Sequence, residues 1–315
     1  MKKEFKIKIL AFVLFFSLNS YTEGEHKIFN LGNFDLESGV VLPNAKLSYV
    51  THGELNKEKD NLIFVPSAYL GDHHGFDFLI EPGKALDPNK YFIVATDMFQ
   101  NGLSSSPSNT PAPYNGPNFP LISIRDNVRA GHKLLTEEFG VKKIKSVVGF
   151  SMGAQQAFQW GVSYPYFVEK IVGIAGSAVE YPHGIVRLEG FIAAIKADQD
   201  FNKGQYTSPP EIGLRAGGAH WASWGWSQEW FRLGLYEEMG LNSTDEVIEW
   251  FEEFVLTWDA NNLIALARTW QNNNIGNTPG FEGDYTKALS SIKAEVLYMP
   301  SETDMYFHID ALREE

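Results

Sequence analysis

The sequence predicts an α/β fold in which a mostly parallel sheet carries helices on both faces and a helical segment is inserted before the last strand. Three observations predict it. Short apolar runs recur at Asn61–Pro66, Tyr91–Thr96, Lys145–Val148 and Ile171–Ala175, with helical patterns between them. A strand, the pentapeptide Gly149-Phe150-Ser151-Met152-Gly153 and a run of good helix formers follow one another without a break. From about Pro182 to Thr286 no β pattern appears, and seven of the eight tryptophans crowd into that stretch.

Lys27–Leu36 and Ala45–His52 read as antiparallel edge strands, with turns at Ser38-Gly39 and Pro43-Asn44. Ile124–Phe139 reads as an amphipathic helix closed by Gly140. In a parallel sheet the ligand site lies beyond the carboxyl ends of the strands. Residues 66–75, residues 97–106, Ser151 and residues 176–181 therefore converge there. Ala294–Pro300 returns to the sheet after the insertion. The organisation expected is a leader over 1–22, the first part of the sheet domain over 23–181, a helical cap over 182–286, and the returning strand over 287–315. Most cap tryptophans are expected to build the cap's own core, with one or two above Ser151.

The pentapeptide is a nucleophile-elbow pattern. Its serine must stand on a turn so sharp that only small residues fit two positions before and after it. The N–H of Met152, at the start of the following helix, then points to where a carbonyl oxygen would become negative. The competing reading makes Ser151 a helix cap on an ordinary βα turn. In this architecture the catalytic groups follow the order serine, acid, histidine. Asp304, on the loop after the returning strand, lies where the acid belongs. The imidazole is not where it belongs: of eight histidines only His308 lies beyond Asp304, four residues on. The chain ends at Glu315 before a further strand, and the sequence reads as truncated, without the strand and helix that would complete the sheet. His73 and His74 lie on a loop near the site, but loop histidines are usually solvated, and this loop is read as contributing a backbone donor to the oxyanion hole. Nor does a third ligand at metal-site spacing follow them. No metal and no cofactor are expected.

Composition narrows the rest. A net charge of −13 argues against a nucleic-acid partner, since phosphate binding needs a basic face. The absence of cysteine excludes a thiol nucleophile, disulfides and thiolate metal sites. Lys2, Lys3, Lys6 and Lys8 precede the apolar run 9–18 and the polar Asn19–Thr22, as in a secretory signal peptide. The expectation is export to the periplasm or the exterior, with an uncleaved anchor as the rival. No later segment is apolar enough to span a membrane.

These residues together resemble the homoserine O-acetyltransferase-like branch of the α/β-hydrolase superfamily. The similarity runs from about Leu36 to Phe307. It rests on Leu36–Gly39, Gly53–Asn56, Gly83–Asp87, Tyr91–Val94, Phe119-Pro120, Ile124–Asp126, Gly149–Gly153 with Gln155 and Trp160, Gly213-Leu214, and Thr303–Phe307. The resemblance implies a serine that takes an acyl group from a small-molecule donor and passes it to a small-molecule acceptor. Ser151 would be the nucleophile, Asp304 the triad acid, and Met152 with the Tyr69–Leu70 region the oxyanion hole. It also implies a homodimer. Two departures stand out. The elbow reads Gly-Phe-Ser-Met-Gly-Ala where homoserine acetyltransferases have Gly-Gly-Ser-Met-Gly-Gly. The arginine that holds the acceptor's carboxylate falls at Gly218, with Arg215 out of register. Both an acyltransferase and an ester hydrolase fit this reading. The alternative is a non-catalytic binding protein of the same fold.

Overall fold

The computed structural model describes residues 26–315; the expected leader lies outside them. Seven strands form one sheet in the order β1-β2-β4-β3-β5-β6-β7. They are β1 (Lys27–Asp35), β2 (Val41–His52), β3 (Leu62–Pro66), β4 (Phe92–Thr96), β5 (Ile144–Phe150), β6 (Val168–Ile174) and β7 (Glu295–Met299). The β1–β2 and β2–β4 pairs are antiparallel, and every pair from β4 to β7 is parallel. Every residue of β3 and β4 is buried, as a parallel strand covered on both faces requires.

One expectation is corrected at the edge. Pro43-Asn44 is not a turn but lies inside β2. Between the pairs Gly32↔Ala45 and Phe34↔Leu42, β2 spends one more residue than β1, and Asn44 takes a φ of 50°. This is a β-bulge, and Pro43 is tolerated there because it lies beyond the Tyr49–His52 stretch that pairs with β4 and has no β1 partner, so its missing N–H costs no ladder bond.

Helices α1 (Ile124–Lys133) and α2 (Met152–Ser163) cover the sheet. A reciprocal capping box between Ser123 and Asp126 starts α1. Its end widens into a π turn over Leu134–Glu138 before Gly140, at φ +63°, stops it. Between β6 and β7 the chain forms α3 (Pro182–Lys196), α4 (Glu211–Ala222), α5 (Gln228–Arg232), α6 (Thr244–Leu256), α7 (Ala260–Gln271) and α8 (Tyr285–Ser291); α9 (Ile309–Glu314) follows β7. Among the described residues the only β pairing in that helical stretch's neighbourhood is the isolated Val179↔Asn274 bridge.

The cap tryptophans divide into two groups. Trp226, Trp230 and Trp250 pack with Phe251 and Phe254 within the cap. Trp221 and Trp270 instead reach down to Tyr69 on the loop after β3, with centroids 5.2 and 5.4 Å away. Cap and sheet domain thus share one apolar core that includes Met152, Tyr69, Leu70 and Phe307. No described helix is long and apolar enough to cross a membrane.

Candidate active site

Ser151 links β5 to α2 at φ 54°, ψ −121°, a backbone conformation that side-chain-bearing residues rarely adopt. The turn survives because its neighbours are small. A Cβ on Gly149 would overlap the Gly153 carbonyl, and one on Gly153 would meet the Pro66 oxygen at 2.8 Å. The Ser151 N–H donates to the Ile174 carbonyl at 2.8 Å, which ties the turn to β6. Met152 opens α2 and is fully buried, so its N–H is one of the helix's first-turn donors without an intrahelical acceptor.

Opposite stands the loop after β3. Gln156, on α2, donates to the Ser67 carbonyl at 2.9 Å, and Ser67 Oγ accepts from the Met98 N–H. Leu70 is buried with φ 55°, and the Tyr69 hydroxyl donates to the Leu263 carbonyl under the cap. The loop is therefore held from β4, α2 and α7 at once, and the Tyr69–Leu70 backbone is fixed beside the elbow.

Asp304 follows β7, two strands from β5. Its Oδ1 accepts the backbone N–H groups of Tyr306 (2.7 Å) and Phe307 (3.1 Å). Burial raises its pKa, against those N–H groups and the nearby Arg187 charge. β6 separates the strands that carry Ser151 and Asp304, and among the described residues the hydrogen-bond partners of Asp304 are Tyr306 and Phe307. No imidazole is among the hydrogen-bond partners of Asp304.

The loop histidines do not bridge the gap. His73 is buried, but its Nδ1 faces Asp97 at 3.1 Å, over β4 and β2, and its Nε2 has no partner. Asp97 is thus the orienting acid that sequence proximity did not reveal, yet the couple stands on the far side of β3 from Ser151. His74 pairs with Asp77 at the surface, and His308 stands exposed at the start of α9.

Two charged residues near the site carried no sequence signal. Arg187, on α3, is 3% exposed, and its three guanidinium nitrogens have no hydrogen-bond partner. It lies against rings instead: Tyr306 at 4.4 Å, Trp270 at 4.7 Å and Trp221 at 5.2 Å. Glu180, after β6, accepts from Trp270 Nε1 at 2.6 Å and from Gln155 Nε2 at 3.3 Å. Burial pushes its pKa up to about 8, more than Arg187, Trp270 and Gln155 pull it down. A free glutamate ionises near pH 4.5. Between those values the unfolded chain has lost this proton while the folded one keeps it. Folding stability is therefore full below pH 4.5 and declines as the pH rises toward 8. Glu180→Gln keeps an acceptor for Trp270 and removes the titration. Its melting temperature relative to the parent is expected to rise between pH 5 and pH 8.5, by the equivalent of about 4 kcal/mol. Thermal melts at the two pH values check this; an unchanged difference would show that Glu180 is ionised in the folded chain.

Residues 61–205 match the α/β-hydrolase-fold family model. An ethyl acetate hydrolase from Pseudomonas veronii is 40% identical over 93% of this chain and 86% of its own length. A homoserine O-acetyltransferase from Leptospira biflexa is 32% identical over 86% and 78%. The solved structure of the acetyl esterase MekB superposes with a TM-score of 0.90 at 38% identity, over 93% of this chain and 85% of that one. The chain belongs to the homoserine O-acetyltransferase-like branch of the α/β-hydrolase family.

Esterases and acetyltransferases are both among the similar proteins, and the cap is tightly closed at Gly218, the position that the resemblance assigns to the acetyltransferase arginine. At Gly218, α4 packs directly on the backbone of α6: an added Cβ would meet Glu252 Cα at 2.6 Å and the Phe251 oxygen at 2.7 Å. No side chain fits there. Arg215 does not replace it, because it turns outward to Glu252 and Glu253. An open groove of about 530 Å³, lined by Phe119, Leu121, Phe201 and Ile264 among others, lies under α7 and includes none of Ser151, Met152, Tyr69, Leu70 or Asp304.

Proposed function

We propose that this α/β-hydrolase is an ester hydrolase working through a Ser151 acyl-enzyme, with acetate esters of small alcohols as substrates. The observation that carries it is the elbow, with Ser151 held at positive φ between the free N–H of Met152 and the fixed Tyr69–Leu70 loop. An ester carbonyl placed there would have its oxygen between Met152 N–H and that loop while Ser151 Oγ attacks the carbon. The alcohol leaves, the acetyl group stays on Ser151, and water releases acetate. Asp304 would orient the imidazole that moves these protons. No described imidazole bridges Ser151 and Asp304, so the 315-residue chain by itself should turn over slowly. The same gap is what favours the second reading, a binding protein with an unused elbow.

Water as the acceptor is preferred over homoserine because the cap offers no guanidinium at Gly218. The names of the similar esterases supply the acetate class. The test is ethyl acetate hydrolysis by the chain, followed by acid release, with free imidazole added to occupy the missing base position. A gain of about tenfold or more over the imidazole blank is expected, with no O-acetylhomoserine when homoserine is included. Diversion of the acetyl group to homoserine would overturn the choice of acceptor; no gain with imidazole would favour the binding protein.

A further inference from the structure

We propose that His26, His73 and Asp97 form a binding site for one divalent transition-metal ion, with zinc as the ion that suits the donors. His26 Nε2 lies 3.2 Å from His73 Nδ1. His73 Nδ1 lies 3.1 Å from Asp97 Oδ2. His26 Nε2 lies 3.6 Å from the same oxygen. Nitrogen and oxygen donors about 2.1 Å from a tetrahedral zinc stand roughly 3.4 Å from one another, and these three edges scatter around that value. A point about 2.1 Å from all three atoms therefore exists just outside their plane. Two neutral imidazoles and one carboxylate are an ordinary zinc donor set.

Hydrogen bonds alone do not account for the cluster. A ring nitrogen has one in-plane direction, which is either a lone pair or an N–H. His73 Nδ1 nevertheless faces His26 Nε2 and both Asp97 oxygens, at 3.2, 3.3 and 3.1 Å. One proton satisfies one of these contacts, whereas a cation among the donors satisfies the convergence. The ring centroids are 4.5 Å apart and tilted by 50°, closer than the about 5.5 Å of a head-on N–H···N bond of this length, so the two imidazoles do not meet in line as donor and acceptor.

The surroundings are those of a built site. Asp97 is fully buried, and its ion-pair partners among the described residues are these two histidines. Its Oδ1 accepts from the His73 N–H at 3.0 Å and Asn101 Nδ2 at 3.1 Å, and its Oδ2 accepts from Ser48 Oγ at 2.8 Å. Such outer bonds orient a ligating carboxylate. Ser48 Oγ, 3.4 Å from His26 Nε2, closes the cluster on the β2 side. The site joins the start of β1, the end of β4 and the turn that follows Tyr69-Leu70. Because it stands over β4 and β2, away from the elbow, the ion's role is to pin that turn and not to polarise an ester.

The experiment uses the untagged 315-residue chain, stripped with a chelator and titrated with Co²⁺ and then Zn²⁺. One equivalent of Co²⁺ with the strong visible absorption of a tetrahedral site is expected, displaced by Zn²⁺, and Zn²⁺ should raise the melting temperature. His26→Ala removes a ligand that is 40% exposed at the edge of the fold. It should melt like the parent in chelator yet bind Co²⁺ at least tenfold more weakly. His74→Ala should bind like the parent. Equal Co²⁺ affinity for the parent and His26→Ala would overturn the assignment. Loss of binding in His74→Ala alone would do so too, by moving the ion to Asp72, His73 and His74.

Discussion

Incubated with p-nitrophenyl acetate, the chain is expected to take up one acetyl group on the peptide that holds Ser151, and Ser151→Ala none. An aryl ester has a leaving group good enough to acylate a serine that the elbow presents at φ 54°, even without an efficient base. Hydrolysis of the resulting alkyl ester needs a base to activate water, and no described imidazole stands between Ser151 and Asp304. The intermediate should therefore accumulate, with turnover about 10³-fold or more below that of an intact triad. Intact-mass and peptide mass spectrometry read the result. Acetylation elsewhere with none at Ser151 would show that the elbow is only a structural turn. Rapid turnover without accumulation would show that another residue acts as base.

Gly218→Ala is expected to destabilise the chain by about 3 kcal/mol or more, a fall in melting temperature of roughly 6 °C. Two effects oppose each other. Alanine in a helix interior gains about 1 kcal/mol over glycine. Its methyl group would stand 2.6 Å from Glu252 Cα and 2.8 Å from Glu252 N, and these backbone atoms cannot turn aside as a side chain would. The clash wins, because relief requires α4 and α6 to separate. The arginine of the homoserine enzymes could not be restored at this position without that separation, so Gly218→Arg should lose the cap packing as well. Thermal or denaturant unfolding checks both variants. A stabilised Gly218→Ala would show that the two helices have slack.

Much of the molecule was legible in the residues because its signals are local. The apolar runs marked β3 to β7; burial on both faces explains the runs of β3 and β4, whereas β7 at the sheet edge keeps an apolar run that is largely exposed. The elbow was legible because its turn demands small residues at fixed offsets from Ser151. The place of Asp304 on the loop after the returning strand was legible as a local signal too. Pro43-Asn44 was misread because a bulge and a turn use the same residue types, and only the β1 partner distinguishes them.

What depends on distant pairs was not legible. His73 and Asp97 are separated by 24 residues, and His26 and His73 by 47. Sequence spacing found no third ligand for the loop histidines, yet folding β1, β2 and β4 side by side brings one carboxylate and two imidazoles together. Arg187 and Glu180 likewise carry no local signal, and their burial appears only in the packed chain. Sequence by itself determined the strands, the elbow and the branch of the family, because each is written in neighbouring residues. Tertiary structure alone decided which charges are buried, which helix faces are closed and which donors converge, because burial and distance belong to the packed chain.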